Sequence, residues 1–476
     1  MRRLSALDAQ MLYLESPRTP NHLAALWTYA PPADGAVTFD DVLERVRSRL
    51  HRAAAFRERV AYVPFRLDYP YWLKDPDFDL EFHVRHIRLP RPGDWRQLCS
   101  LAARLYAYPL DLSRPPWELW FIEGLDALPH VPVGSFATML KVHHAAVDGM
   151  SGLQMSAALH DAQPDPPAQA APEDTWEADP EPSSRWLVGR SLGSNLRSPV
   201  RLAGAVGRAA PAIVRVANGV GRKRISLPPR AAPETRFSGK VTPHRVFESR
   251  RFALADVSAI RKAFPGSTVN DVIVATVGGG VRAYLEAKSE LPQTALIAVM
   301  PISVRAPGDG AKTGNQFTLM PVSTGSDIAD AGQRLAAVTN STKNAKELAG
   351  ALGARTLVGI SEAMPGALVG LASRFSASMS GGAVNMTITN VPGPQAPLYF
   401  CGAQAVDALG AGPFADGLGL IHLVGSYLGY LFCNIVADRE MMQDPEFYAE
   451  CVDRSFADLL NAADVVDSKL KSEIWP

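Results

Sequence analysis

The fold class this sequence predicts is mixed α/β, in two units joined by a linker. Three observations carry that prediction. Strand-like and helix-like patterns alternate up to about residue 161 and resume near 246. Between them lies a Pro, Ala and acid-rich stretch, QPDPPAQAAPEDTWEADPEPSS, followed by an acid-free one. The chain of 476 residues, 47 % apolar and 20 % charged, has the length for more than one core and the composition of a globular protein. The expected division is therefore 1–161, an inter-domain segment 162–245, and 246–476.

In chain order, Ser5 is an N-cap for a helix over residues 5–15, with Asp8 three positions on. A strand is expected at His22–Tyr29 and a helix through FDDVLERVRSRL. PPWELWFIEGL, Pro115 to Leu125, is apolar and aromatic enough for a central strand, with its prolines at the start. SFATMLKVH is another strand, and SGLQMSAALHDA turns helical. In the second unit, STVNDVIVATVGGGVRAYLE is a buried helix capped by Thr268 with Asp271 at its third position. TALIAVMPISVR is strand-like, and FYAECVDRSFADLL puts Phe447, Cys451, Phe456 and Leu460 near one helical stripe.

Several function classes are excluded or disfavoured by composition. Lys+Arg and Asp+Glu both number 48, so no overall basicity points to nucleic acid. Cys99, Cys401, Cys433 and Cys451 are far apart without CxxC spacing, which suits a reducing cytoplasm. MRRLSALDAQ has two arginines but no apolar stretch behind them, so no cleavable signal is expected. Gly417 to Ala437 carries no charged residue over a membrane-spanning length, yet its glycines and central YLG fit two buried strands joined by a turn.

From Arg185 to Pro233 there are ten Lys/Arg and no acidic residue. Arg201, Arg208, Arg215 and Arg222 recur every seven residues, so on a helix they line one face, with Pro211 as an expected kink. Two readings stay open: a solvated basic helix packed on its own domain, or a surface for anionic lipid headgroups.

The candidate chemistry sits in KVHHAAVDGMSG, Lys141 to Gly152, where His143 and His144 end a strand and Asp148 and Gly149 occupy the following turn. A neutral imidazole there can accept a proton, a carboxylate can hold the loop, and glycine admits close approach. Each histidine alone can equally be a packed polar residue. A zinc site lacks a third ligand or HExxH, a serine triad lacks GxSxG, and GDGAKTG at 308–314 lacks the order of a phosphate loop. No metal is expected.

With these residues, LSALDAQMLYLE, PLDLSRPPWELWFIEGL, TVNDVIVATVGGGVRAYL, PISVR, GNQF, TNVPGP and SYLGYLFCNIVADRE, the chain resembles the bacterial wax ester synthase/acyl-CoA:diacylglycerol acyltransferases. These belong to the chloramphenicol-acetyltransferase-like superfamily. The resemblance implies two similar CoA-dependent-acyltransferase-like domains with an active-site tunnel between them. It implies His144 as general base, Asp148 as a structural aspartate in a buried ion pair, and Asn270 as a residue needed for activity. His143 and Gly149 belong to the same motif, and Trp117 and Asp271 are expected at the substrate. Acyl-CoA is then a substrate rather than a cofactor, and the acceptor is diacylglycerol or a fatty alcohol. Attachment is expected to be peripheral, at the cytoplasmic side of the inner membrane or at lipid droplets. Pro115-Pro116-Trp117 for the family's Pro-Leu-Trp and MPVST for its Leu-Pro-Thr bear on acyl and acceptor preference. The alternatives are a condensation-type enzyme using carrier-bound acyl groups and a catalytically silent lipid-binding relative.

Overall fold

The computed structural model describes residues 1–33, 35–146, 155–166, 176–196, 198–221, 231–303, 317–352 and 382–474. Its main strands are β1 (His22–Tyr29), β2 (Val84–Arg88), β3 (Trp117–Glu123), β4 (Phe136–His143), β5 (Arg245–Ala253), β6 (Ile297–Ser303), β7 (Phe317–Ser323), β8 (Met386–Val391), β9 (Tyr399–Phe400), β10 (Ala403–Ala411), β11 (Leu420–Tyr427) and β12 (Tyr430–Asp438). The main helices are α1 (Ala6–Leu14), α2 (Phe39–Arg49), α3 (Trp95–Ala107), α4 (Ser184–Leu196), α5 (Ser198–Gly221), α6 (Leu254–Ala263), α7 (Val269–Ala287), α8 (Ala331–Leu352) and α9 (Pro445–Ile474).

Two six-stranded sheets organise these elements. The first runs β9-β10-β1-β4-β3-β2 and the second β7-β6-β8-β11-β12-β5. In the first, only β2 and β3 pair in parallel; in the second, β8 is parallel to both its neighbours. Residues Gly417–Ala437 form the expected pair of strands, joined at Leu428 and Gly429, both with positive φ, as a tight hairpin turn requires. Among the described residues no helix is long and apolar enough to cross a membrane.

Local signals explain the helix starts. Thr38 with Asp41, Asp94 with Gln97, and Thr268 with Asp271 form complete capping boxes, so exposed amides of each first turn have side-chain acceptors. Helix α7 is buried along most of its length, and a Cβ at Gly278 would collide with the Thr324 carbonyl, so glycine permits that close approach. The acid-free stretch forms α4 and α5, and α5 packs along α8. Pro211 lies within α5 on its exposed side.

The expected domain division needs one correction. Strands β9 and β10 come from 399–411, beyond the boundary at 246, yet they extend the first sheet, with β10 paired antiparallel to β1 from Ala405↔Tyr29 to Ala411↔Ala24. The physical reason is burial: Phe400, Ala403, Ala405 and Leu409 join the same core as Trp27, Tyr29 and Phe136. That core continues into Tyr427, Phe432 and Val436 of the second sheet, while a second cluster gathers α6, α7, α9 and the inner faces of β6, β11 and β12.

Buried histidines give the fold a pH dependence. His160 has Nε2 2.8 Å from the Tyr29 hydroxyl and Nδ1 2.7 Å from the Ser156 carbonyl, and burial pushes its pKa down to about 4. Burial pushes His422 down to about 3 and holds His22 well below the ordinary value. The unfolded chain therefore binds more protons than the folded one once pH falls below ~6.5, and stability is lost at about 1.4 kcal/mol per pH unit per histidine. Unfolding free energies measured in urea at pH 7 and pH 5 should show this loss. His422→Gln should make the loss smaller by about 2 kcal/mol; an unchanged slope would remove His422 from the account.

Candidate active site

His143 ends β4, every residue of which is buried, and His144 opens the turn that follows. The antiparallel register sets His143 opposite His22, and the backbone amides of His143 and His144 donate to the carbonyls of Pro116 and Asn21 at 2.9 Å each. The turn that follows closes with the Ala146 amide on the His143 carbonyl. The strand end is thus held from both sides.

The two histidines sit in different surroundings. His143 is 0 % exposed, and its Nδ1 accepts from the Ala145 amide at 3.1 Å. An accepting Nδ1 leaves the proton on Nε2, which faces the Glu15 carboxylate at 3.4 Å. This ring therefore clamps the loop from below. His144 is only partly buried. It is the member of the pair that retains access from outside. Asp148 and Gly149 lie outside the described residues.

Beneath this loop is a polar strip that sequence reasoning missed. His22 Nε2 donates to the Tyr106 carbonyl at 2.6 Å, and the Tyr106 hydroxyl donates to the Gly412 carbonyl. Lys141, two residues before His143 and on the same strand face, is fully buried; its Nζ donates to the Tyr108 carbonyl at 2.7 Å and lies 3.5 Å from Glu118. Burial brings the Lys141 pKa down to about 8, with Glu118 opposing the shift. Only the alternation of Lys141 and Glu118 with apolar residues in their strands hinted at an inward-facing pair.

Asn270 stands in the first turn of α7, on the second lobe, partly accessible. Its Oδ1 accepts from Asn390 Nδ2 at 2.7 Å. Asn390 belongs to β8 and to the TNVPGP block, so two separate sequence blocks meet here, a pairing that sequence reasoning did not foresee. With its oxygen engaged, the Asn270 amide nitrogen is left to donate, and a helix N-terminus favours negative charge nearby.

Two residues expected at the substrate, Asp271 and Trp117, are buried. Asp271 is 1 % exposed: Oδ2 accepts from the Thr268 amide and hydroxyl at 2.7 and 2.9 Å, and Oδ1 accepts from Thr342 Oγ1 at 2.6 Å. Its carboxylate is committed to capping α7 and tying it to α8. Trp117 is also 1 % exposed, stacks on His83 with centroids 4.6 Å apart, and donates from Nε1 to the Phe56 carbonyl at 3.0 Å. It is part of the core around the first sheet. Among the described residues no group of three His, Cys, Asp or Glu side chains is placed to hold a metal ion.

The family profile described as the wax ester synthase/diacylglycerol acyltransferase catalytic domain matches residues 4–273, and the corresponding C-terminal domain matches 313–460. A putative diacylglycerol O-acyltransferase of Mycobacterium tuberculosis is 33 % identical, over 92 % of each chain. A second from that organism is 32 % identical over 98 % of this chain and 91 % of its own. The solved wax ester synthase/diacylglycerol acyltransferase of Marinobacter aquaeolei superposes with a TM-score of 0.68 at 25 % identity, covering 97 % of this chain and all of that one. The first condensation domain of the calcium-dependent antibiotic synthetase shares the fold, with a TM-score of 0.57 at 14 % identity over 97 % and 96 % of the two chains. Matched by both profiles and by relatives along nearly its whole length, the chain belongs to the wax ester synthase/diacylglycerol acyltransferase family.

Proposed function

We propose that this protein transfers a fatty acyl group from acyl-CoA to the hydroxyl of diacylglycerol or a long-chain alcohol, giving triacylglycerol or wax ester. One observation carries the reading: in a chain of this family, the motif pair splits into a locked His143 and an accessible His144 at a rigid strand end. His144 takes the acceptor's proton as its oxygen attacks the thioester carbonyl. The carbonyl oxygen becomes an oxyanion, for which the Asn270 amide is the candidate donor. Collapse breaks the C–S bond, and the imidazolium returns the proton to the departing CoA thiolate. Atoms and charge balance without a covalent enzyme intermediate or a further cofactor.

A positioned base contributes about 10²–10⁴ in rate and one oxyanion donor about 10²–10³. Placing both substrates in one water-poor site supplies the remainder. Asp148 is assigned a supporting role for the His144 loop, and Gly149 allows close approach there. The protein would act from the cytoplasmic side, peripherally at the inner membrane or lipid droplets. The acid-free α4 and α5, with Arg208 and Arg215 exposed, support that placement.

Purified protein incubated with palmitoyl-CoA and either diolein or hexadecanol should release thiol and form the matching ester. Thiol release without any ester in either case would reduce the activity to hydrolysis. No thiol release with either acceptor would overturn the reading.

A further inference from the structure

Phe65 is the most exposed large apolar residue among those described, at 88 %. Both Phe65 and Arg66 have φ of 55°, two consecutive non-glycine residues in the left-handed region. Such strain persists only where surrounding contacts over-determine it. Here they do. Val63 is buried, the Arg66 amide donates to the Val63 carbonyl at 3.0 Å, and the Arg66 guanidinium lies over the Tyr13 ring at 5.3 Å. From α4, Asn195 Nδ2 donates to the Leu67 carbonyl at 2.8 Å. The turn is pinned at both ends, and its phenyl ring is held in water; Tyr62, three residues earlier, is 43 % exposed. Nothing in the core uses that ring.

Its position relates it to the site. The turn projects from the antiparallel pair Glu58–Ala61 and Tyr71–Lys74. Val60 and Trp72 of that pair pack with Leu4, Leu12 and Ala145, the residue that follows His144. Glu15, which faces His143, also acts electrostatically on Tyr62. On the other flank, Leu187 of α4 packs on Val63 and Tyr71, and leaves Trp186, Leu192 and Leu196 in solvent, Leu196 at 81 %. Val200 and Val214 of α5 are exposed as well. Arg185, Arg190, Arg208 and Arg215 are exposed on the same two helices, and no acidic residue occurs from 185 to 233.

We propose that the Tyr62–Arg66 turn is an interfacial wedge: Phe65 and Tyr62, with Leu192 and Leu196 alongside, enter an anionic lipid surface and turn the His144 side of the first lobe toward it. Protruding apolar side chains with cationic neighbours, beside two helices that carry no acidic residue, fit headgroups and acyl chains. The strain aims a ring outward at a fixed angle, which suits insertion. The inference rests on the acyl-transfer reading for its water-insoluble acceptor, and adds which element meets the lipid.

Phe65→Asn tests it, because asparagine tolerates the left-handed conformation. Its thermal midpoint should equal or exceed that of the wild type. In flotation with phosphatidylglycerol-containing vesicles, partitioning should fall about five- to tenfold. Thiol release from palmitoyl-CoA with vesicle-borne diolein should fall with it, while release with a short, soluble alcohol stays within about twofold. Arg208→Gln with Arg215→Gln should also weaken binding and reduce its sensitivity to salt. Equal partitioning of wild type and Phe65→Asn overturns the wedge and leaves acyl transfer standing. A wild type that binds vesicles through Phe65 but releases no thiol with any acceptor leaves the wedge and removes acyl transfer. A dimer seen by sedimentation for the wild type and lost in Phe65→Asn, with vesicle binding equal, assigns the knob to a second copy and overturns the lipid proposal.

Discussion

His144→Ala is expected to lower ester formation from palmitoyl-CoA by at least about 10², with the thermal midpoint unchanged. The ring is partly accessible, and the turn that carries it is held by backbone bonds and by the His143 ring. Removing it should therefore delete the base and leave the frame. His143→Ala should behave in the opposite sense: it leaves the buried Ala145 amide without its acceptor and Glu15 without its partner, so the midpoint falls and the rate loss is smaller. A folded His144→Ala protein with near-wild-type turnover would end the assignment.

Asn270→Ala is expected to lower kcat by about 10²–10³ with little change in KM, the signature of a donor that acts on developing charge. Asn270→Asp separates donation from placement. The aspartate keeps an acceptor for Asn390 Nδ2, but it cannot donate in its ionised form and carries a negative charge. Equal losses in both variants support the donor role, while an active Asn270→Asp would reassign Asn270 to positioning. Asn390→Ala should cost less than either, because it only frees the Asn270 side chain to rotate.

Local signals made much of this fold legible. His22–Tyr29 is apolar and aromatic enough to read as a strand, and Thr268 and Asp271 announce the start of α7. The same locality explains the misses. Asn270 and Asp271 are adjacent in sequence but about 100° apart around a helix, so one remains accessible and the other is buried as a cap. Trp117 reads as apolar and aromatic in either setting, and only the packing of His83 and Phe56 around it decides that it is core. The Glu15–His143 and Asn270–Asn390 pairs join residues more than a hundred positions apart, which no periodicity reveals. The β10 segment AQAVDALGA has the pattern of a strand, but the pattern does not name the sheet it joins.

That last strand bears on how the protein is made. Until β10 emerges from the ribosome, β1 is a sheet edge with unpaired amides and carbonyls beside a half-covered core. At ordinary rates of synthesis the roughly 270 residues between β4 and the end of β10 take about 15–50 s to appear. A fragment that stops before 399 keeps that edge permanently, so nascent or truncated chains are the aggregation-prone species. The turn that carries His144 follows the strand next to β1. Its rigidity is therefore a property of the finished chain, acquired only when the late strand docks.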